Sequence, residues 1–409
     1  DLVLVDRSQP GVEVTARANV DPSRRVAEVR CTGVAVDAKR VLRGGRAAAL
    51  RIVRTLAAAE ASGGAHACTE MASAYAKERV QFGRPIGTFQ AVKHHCANML
   101  VDAEQATAAA WDAARAGVED RQAELASAVA AGLALPAFAR CCQLNVQVHG
   151  GIGYTWEHDA HLYVRRSGAL SALVGADRAL EDVTRLAADG VVRSTAIDLP
   201  PEAEAFRSEV RAFAERFQKT PEAEQRKLLC DEGYLVPHWP RPWGRGAGAV
   251  EQLVIDEELR AAGVRRPELG ISGWNTLTIA QHGTPEQVER FVRPSLEGEI
   301  AFCQLFSEPA AGSDAAGVQT RGVKVDGGWR VTGQKVWTSG AQHCNRGFAT
   351  VRTDPDAAKH QGISMMVIDM HAKGVEVRPL RQVTGHAHFN EVFLDEVFVP
   401  DADAVAPVN

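Results

Sequence analysis

Two groups of residues have types and spacings that could carry chemistry. The first is Phe306-Ser307-Glu308-Pro309-Ala310-Ala311-Gly312-Ser313-Asp314, followed by Lys335-Val336-Trp337-Thr338-Ser339-Gly340. Gly312, with the small Ser307 and Ser313, lets backbone N–H groups come close to a planar, electron-poor ring. Trp337 offers a face to shield such a ring from water, and Ser339 a hydroxyl to hydrogen-bond one of its nitrogens. The second group is Arg79-Val80-Gln81-Phe82-Gly83-Arg84-Pro85-Ile86-Gly87 with Gln90, then Gln147-Val148-His149-Gly150-Gly151-Ile152-Gly153-Tyr154. Arg79 is a forked cation suited to a diphosphate, and Gln90 lies 11 residues on, three helical turns along much the same face. Without a ligand, the same residues read as an ordinary turn with a core Trp and a solvated helix charge. His94 and His95 read as helix-surface residues. His149, His158 and His161 lack a carboxylate or Cys partner at ligand spacing, so no metal site is expected.

The elements that must position these residues follow from periodicity. Residues 1–44 alternate apolar and polar, and read as the last strands of a β-domain. From Ala47 to Asp189 the pattern becomes helical and Ala-rich, with breaks near Gly83–Thr88, Ala116–Asp120 and Gly150–Thr155, which predicts four long helices in a bundle. Ala188–Pro201, with Gly190, Asp198, Pro200 and Pro201, reads as a linker. Helices resume from Glu202 to Glu297, where Thr284-Pro285-Glu286-Gln287 is a capping box with Pro at the first helical position. After Gly298 the signal changes to strands, and Asp326-Gly327 between β-formers predicts a hairpin.

The opening of the chain returns near its end. Gly11-Val12-Glu13-Val14 matches Gly374-Val375-Glu376-Val377, an offset of 363 residues. Glu28-Val29 matches Glu391-Val392 at the same offset, and Val34-Ala35-Val36-Asp37 falls against Val397-Phe398-Val399-Pro400. A period of 363 is too long for a solenoid and is the length of a whole multi-domain unit. The expectation is a tandem fusion, with the back of unit one followed by the front of unit two; two similar hairpins in one protein is the alternative. A chain that opens on Asp1-Leu2-Val3-Leu4-Val5 and closes on Ala406-Pro407-Val408-Asn409 also reads as a piece of something longer.

Composition narrows the class. The 409 residues are 45% hydrophobic and 24% charged, with a formal charge of -5, room for two or three domains and a sizeable core. No basic block interleaved with aromatics points to nucleic acid. No apolar run approaches the ~20 residues of a membrane span, and no signal segment opens the chain. Eight Cys without a C-x-x-C pair read as reduced thiols, giving the expectation of a soluble cytoplasmic protein.

On these motifs the sequence resembles the acyl-CoA dehydrogenase family, in most of which the loop reads T-E-P-x-A-G-S-D, the strand W-x-T/S, and the helices R-x-x-F-G and Q-x-x-G-G-x-G. The resemblance covers nearly the whole chain, in split order. It implies an α+β, mainly α fold with an N-terminal helical domain, a central β-barrel or sandwich domain and a C-terminal four-helix bundle. Residues 1–45 would end the β-domain of unit one, 46–190 form its bundle and 191–201 a linker, while 202–299 and 300–409 would be the helical and β-domains of unit two.

The resemblance implies FAD as cofactor and an acyl-CoA thioester as substrate, with electron-transfer flavoprotein as acceptor and a homo-oligomer as the assembly. Phe306, Ser307, Gly312, Ser313, Trp337, Thr338 and Ser339 would contact the flavin, and Ser313 also the acyl-CoA. Arg79, Gln81, Phe82, Gln90, Gln147, Gly150 and Gly151 would reach a neighbour's FAD, the glycine pair passing its ribose or adenine end. In the family a Glu removes the α-proton while a β-hydride passes to the flavin, a role suited to a carboxylate in an apolar pocket. The two positions known for that Glu align with Val174, in Leu173-Val174-Gly175-Ala176, and with Val53. Glu60, two turns beyond Val53, is the remaining candidate base. Counting 363 residues on from Val53 or Val174 leads past Asn409, where unit two would bring its own Glu. This organisation looks like the fused bacterial enzymes that shorten steroid side chains. The alternatives are a non-catalytic flavin-binding or scaffold subunit and, within the enzyme class, an acyl-CoA oxidase.

Overall fold

Alanine sets the geometry of the first helices. Helix α1 (Gly45–Glu78) buries Ala57, Ala58, Ala61, Ala65, Ala72 and Ala76, and α2 (Gln90–Arg115) buries Ala103, Ala106, Ala110 and Ala113. Side chains this small at spacings of three and four let neighbouring helix axes approach closely. Against them lies α3 (Arg121–His149), whose Phe138 ring fills the space left at Gly64. A Cβ at Gly64 would stand 2.3 Å from that ring. The computed structural model describes residues 1–116, 120–194 and 199–405. It divides into two compact units, Asp1–Ile197 and Asp198–Asn409.

Among the described residues five helices, not four, occupy the region read as a bundle. Beyond α3 come α4 (Ala160–Val174) and α5 (Ala176–Ala188), separated at Gly175, whose φ of 76° ends α4. The expected breaks near Gly83–Thr88 and Gly150–Thr155 are present; that at Ala116–Asp120 falls partly, and the linker partly, outside the described residues. The stretch Arg121–Tyr154 is long and apolar enough to cross a membrane by length and composition, and 72% of its most apolar window is buried inside the helices. Its apolarity is alanine, which serves close helix packing.

The strand-like opening is smaller than the sheet expected of it. Here β1 (Leu2–Val3) pairs only with β4 (Val41–Leu42), and β2 (Val12–Arg17) pairs with β3 (Val26–Cys31) as a separate hairpin. A second, very short hairpin joins β5 (Val80–Gln81) to β6 (Arg84–Pro85).

The second part begins with α6 (Glu202–Lys219), α7 (Glu222–Asp231), α8 (Ala249–Ala261), α9 (Gly270–His282) and α10 (Pro285–Glu297). The capping box opens α10: Thr284 Oγ1 accepts the Gln287 N–H at 3.3 Å, and Gln287 Oε1 accepts the Thr284 N–H at 3.0 Å. Eight strands follow: β7 (Phe302–Leu305), β8 (Arg321–Val325), β9 (Gly328–Ser339), β10 (Arg346–Arg352), β11 (Ile363–Asp369), β12 (Val375–Leu380), β13 (Phe389–Pro400) and β14 (Ala404–Val405). They form one sheet in the order β12-β13-β9-β8-β10-β11-β14, with β7 parallel beside β10. Asp326-Gly327 turns β8 into β9 as expected. Alternation sorts the two faces: Phe348 and Val367 pack with the helices around Phe213, Tyr234 and Phe291, whereas Ala349, Ile368, Val331 and Val392 form a second core.

Candidate functional site

A β-bulge aims the first motif group. Along the β9–β13 ladder, Thr338 pairs with Asn390 and Lys335 with Val392, so Val336 and Trp337 together oppose Glu391 alone. The extra residue bends the strand. Trp337 takes φ of 59°, in the left-handed region that costs a bulky residue of order 1–2 kcal/mol. The outcome is a Trp that is 62% exposed, with Phe389 edge-on at 5.9 Å. Thr338, next to it, is buried, its Oγ1 without a hydrogen-bond partner, while its carbonyl accepts from Asn390 Nδ2 at 3.0 Å. Ser339 is half-buried opposite Phe389.

The loop from Phe306 to Thr320 meets this strand from the side. Ser307 and Trp337 are brought together by backbone: the Val336 N–H donates to the Ser307 carbonyl at 2.8 Å. Glu308 and Ala311 close a tight turn, and Gly312 and Ser313 follow it on the surface. A Cβ at Gly312 would meet nothing within 4 Å, so its backbone faces open space as a closely approaching ring requires. Phe306 is half-buried against the helical core.

Beneath the loop lies a pair that the sequence reading did not single out. Lys335 is 0% exposed, and its Nζ donates to Glu308 Oε1 at 2.7 Å and to the Thr350 carbonyl at 2.8 Å. It also reaches Thr350 Oγ1 and the Phe306 carbonyl, each at 3.3 Å. Glu308 accepts the N–H groups of Gln319 (2.6 Å) and Thr320 (3.0 Å). Burial works against both charges, but Lys335 and these donors outweigh it and hold the Glu308 carboxyl below its ordinary range. The available signal was a lysine at an inward position of a strand, which periodicity alone treats as a solvent-facing residue.

In the other part, Arg79 caps α1 and its exposed side chain has no ion pair among the described residues. Arg79 and Gln90 do not share a helix face as expected. The β5–β6 hairpin and a 3-10 turn (Ile86–Thr88) intervene, because Gly83 takes φ of 76° and Pro85 cannot continue a helix. Gln81 lies in β5; Phe82 is at the hairpin tip, 92% exposed at φ 53°; Gln90 is the first residue of α2. Gln147 is exposed near the end of α3, and Gly150 (φ 65°) stops that helix, with Gly151 exposed beside it. His149, buried between Tyr75 and His158 rings, is held below its ordinary imidazole range, chiefly by burial.

Glu60 is not the base that an apolar pocket would make. Arg24 Nη2 stands 2.8 Å and Arg166 Nε 3.1 Å from its carboxylate, and Arg166 also pairs with the buried Asp21 at 2.9 Å. Both of its carboxylate oxygens face guanidiniums, so it does not sit in the apolar pocket that suits a proton-abstracting Glu. Val53 is exposed and Val174 buried, and neither position offers a carboxylate. Among the described residues no three His, Cys, Asp or Glu side chains converge as a metal site would. All eight cysteines are free thiols.

Three domain models of one family match the chain: acyl-CoA dehydrogenase C-terminal domain over residues 46–185, N-terminal domain over 200–299 and middle domain over 303–397. Acyl-CoA dehydrogenase FadE34 of Mycobacterium tuberculosis is 52% identical over 361 residues, 88% of this chain and 51% of that protein. Acyl-CoA dehydrogenase FadE29 of the same organism is 31% identical, over 50% of this chain and 56% of its own. Among solved structures, the ChsE4-ChsE5 complex from Mycobacterium tuberculosis aligns at 30% identity with a TM-score of 0.40, covering 52% of this chain and 58% of that one. The chain spans about half the length of the curated relatives it matches.

Proposed function

The chain belongs to the acyl-CoA dehydrogenase family, and on that premise we propose that it is the middle part of a fused two-unit enzyme that forms an α,β double bond in an acyl-CoA thioester. One observation carries this reading: the C-terminal-domain match precedes the N-terminal and middle ones, as the joint between two consecutive copies would read. The hairpin repeat at 363 residues agrees with it.

The residues present fit FAD on two structural points, the unpartnered Thr338 Oγ1 and the open space over Gly312 beside Trp337. When bound, FAD would accept the hydride leaving the substrate β-carbon. Trp337 and Phe306 would shield the ring from water, Ser307, Thr338 and Ser339 would orient it, and Ser313 would meet phosphate or acyl-CoA. Arg79, with Gln81, Phe82, Gln90, Gln147, Gly150 and Gly151, would serve a flavin held by another β-domain, Arg79 as diphosphate clamp.

Unit one is then a degenerate half. Its base positions hold Val53 and Val174, and Glu60 is committed to two arginines, so the α-proton would be taken by a Glu of unit two outside this chain. The proposed substrate is a bulky acyl-CoA such as a steroid side-chain thioester, the acceptor electron-transfer flavoprotein, the assembly a homo-oligomer of fused chains, and the location cytoplasmic. A second reading, a non-catalytic flavin-binding or scaffold subunit, draws on the same missing carboxylates.

An intact mass of the native gene product, with a flavin absorbance spectrum on the same sample, separates these. About twice the size of a single family unit with one FAD per chain is the expected result. A mass near 43.9 kDa with flavin would favour the scaffold reading, and the same mass without flavin would sink the enzyme reading for this chain.

A further inference from the structure

The buried Lys335–Glu308 pair has no place in the chemistry above, yet it ties together the two β-domain segments, the 306–320 loop and β9, that carry candidate flavin residues. Lys335 stands two residues before Trp337 on β9, on the inner side of the bulge. Its ammonium spans the Phe306 carbonyl and Glu308 at the start of the loop and Thr350 on β10. Glu308 in turn grips the loop's far end through the N–H groups of Gln319 and Thr320. Both ends of a 306–320 segment are therefore tied to one buried ion pair, and the Val336 N–H joins the start of the loop to β9 through the Ser307 carbonyl. What remains free between the ties is the stretch with Gly312 and Ser313. Outside the clamp, the loop is also held by the exposed Asp314–Lys359 pair, by the Arg352 side chain donating to the Ala316 carbonyl, and by the Arg352 N–H donating to the Thr320 carbonyl at 2.7 Å.

We propose that Lys335 and Glu308 are positioning residues for the flavin site, an ionic clamp that fixes the separation between the Ser307–Ser313 loop and the Trp337–Ser339 strand. The proposal rests on the flavin reading of that surface. A fully packed apolar pair could hold the core equally well, but it could not accept the Gln319 and Thr320 amide protons. The Glu308 carboxylate is the acceptor at the loop's far end, and Lys335 is the counter-charge that keeps it ionised where it is buried.

That difference supplies the test. K335M alone leaves a buried, uncompensated carboxylate and can fail to fold, so the informative chain is the double variant K335M/E308L, with K335R as the conservative control. Three quantities are read on the whole chain: unfolding midpoint, amide exchange at Gln319 and Thr320, and FAD affinity with the bound-flavin absorbance spectrum. The double variant is expected to regain most of the midpoint lost by K335M. It should exchange Gln319 and Thr320 faster, bind FAD about tenfold more weakly, the scale outer-shell partners carry at metal centres, and shift the flavin band; K335R should keep affinity and spectrum near wild type. A double variant with wild-type FAD affinity, spectrum and exchange overturns the clamp while leaving the flavin reading standing. A wild-type chain that takes up no FAD overturns both.

Discussion

The β2–β3 and β12–β13 hairpins are the same device in two surroundings. Val12 pairs with Cys31 and Glu13 with Arg30; 363 residues later Val375 pairs with Leu394 and Glu376 with Phe393. Gly11 and Gly374 both take positive φ, 88° and 97°, and each accepts a 2.9 Å hydrogen bond, from Thr32 and from Asp395. A Cβ would stand 2.2 Å from the Thr32 oxygen in one and 2.1 Å from the Asp395 oxygen in the other. Yet Val29 is 62% exposed and its counterpart Val392 is 0% exposed. The difference is the larger sheet: β9 flanks β13, and Val392 packs in the second core with Val331 of β9, Ala349 and Ile368, whereas β3 has no such neighbour among the described residues. Local sequence therefore sets register and turn, whereas burial comes from the neighbouring strand.

A charge at the matched positions should act very differently in the two hairpins. Val392→Asp buries an unpaired carboxylate in the second core and should cost about 4 kcal/mol or more, enough to unfold the β-domain. Val29→Asp should stay within about 0.5 kcal/mol. Chemical denaturation of both variants checks it, and a large loss from Val29→Asp would mean that β3 is covered in the working protein. Next in size come the glycines. Gly374→Ala and Gly11→Ala each meet a backbone carbonyl oxygen at positive φ, so each should destabilise its own hairpin by about 2 kcal/mol. Amide exchange at Asp395 and Thr32, the donors to those glycines, reads the two separately. Unequal responses would show that the shared register does not reflect shared strain.

What could be read from the chain alone follows the same division. Asp326-Gly327, the Thr284 capping box and the break at Gly83 are local signals, and each stands where expected. Gly175 went unread because one glycine in an apolar run is tolerated by a helix unless its φ is known. The Trp337 bulge inserts one residue, which a period of two cannot register. Lys335 and Glu60 depend on tertiary partners: one is inside because Glu308 is, the other is neutralised by Arg24 and Arg166 from the hairpin loop and α4. The motif residues could be named from the sequence, but the ionic contacts that position or disqualify them could not.

Acid separates the two parts more gently. His149 is kept neutral mainly by burial, so its folded value lies below the ordinary 6.5. As pH falls from about 6.5 the unfolded chain takes up a proton that the fold refuses, and the helices around α3 should lose stability there. Glu308 works in a lower window: its contribution is complete above the ordinary carboxylate value of 4.5 and is lost as pH falls through its depressed one. Unfolding against pH should show the first loss abolished by His149→Phe and the second unchanged by it. A single transition that ignores His149→Phe would contradict this assignment.

The smallest effect belongs to the ion pairs that dock the β2–β3 loop onto the helices. Arg24 meets Glu60 on α1, and Arg166 on α4 meets both Glu60 and Asp21. At the matched positions of the other hairpin stand Ala387 for Arg24 and Thr384 for Asp21, so this network has no counterpart there. Arg24 and Glu60 are each about one-third exposed, which holds their coupling to roughly 0.5 kcal/mol. A double-mutant cycle of Arg24→Gln with Glu60→Gln should recover a coupling of that size, weakening with salt. Zero coupling would mean that the loop swings free of α1 and that Glu60 is not committed to Arg24. Should Glu60→Gln then also abolish dehydrogenation without moving stability, the carboxylate assigned here to a structural pair would be the missing base, and the two-unit division of labour would fall with it.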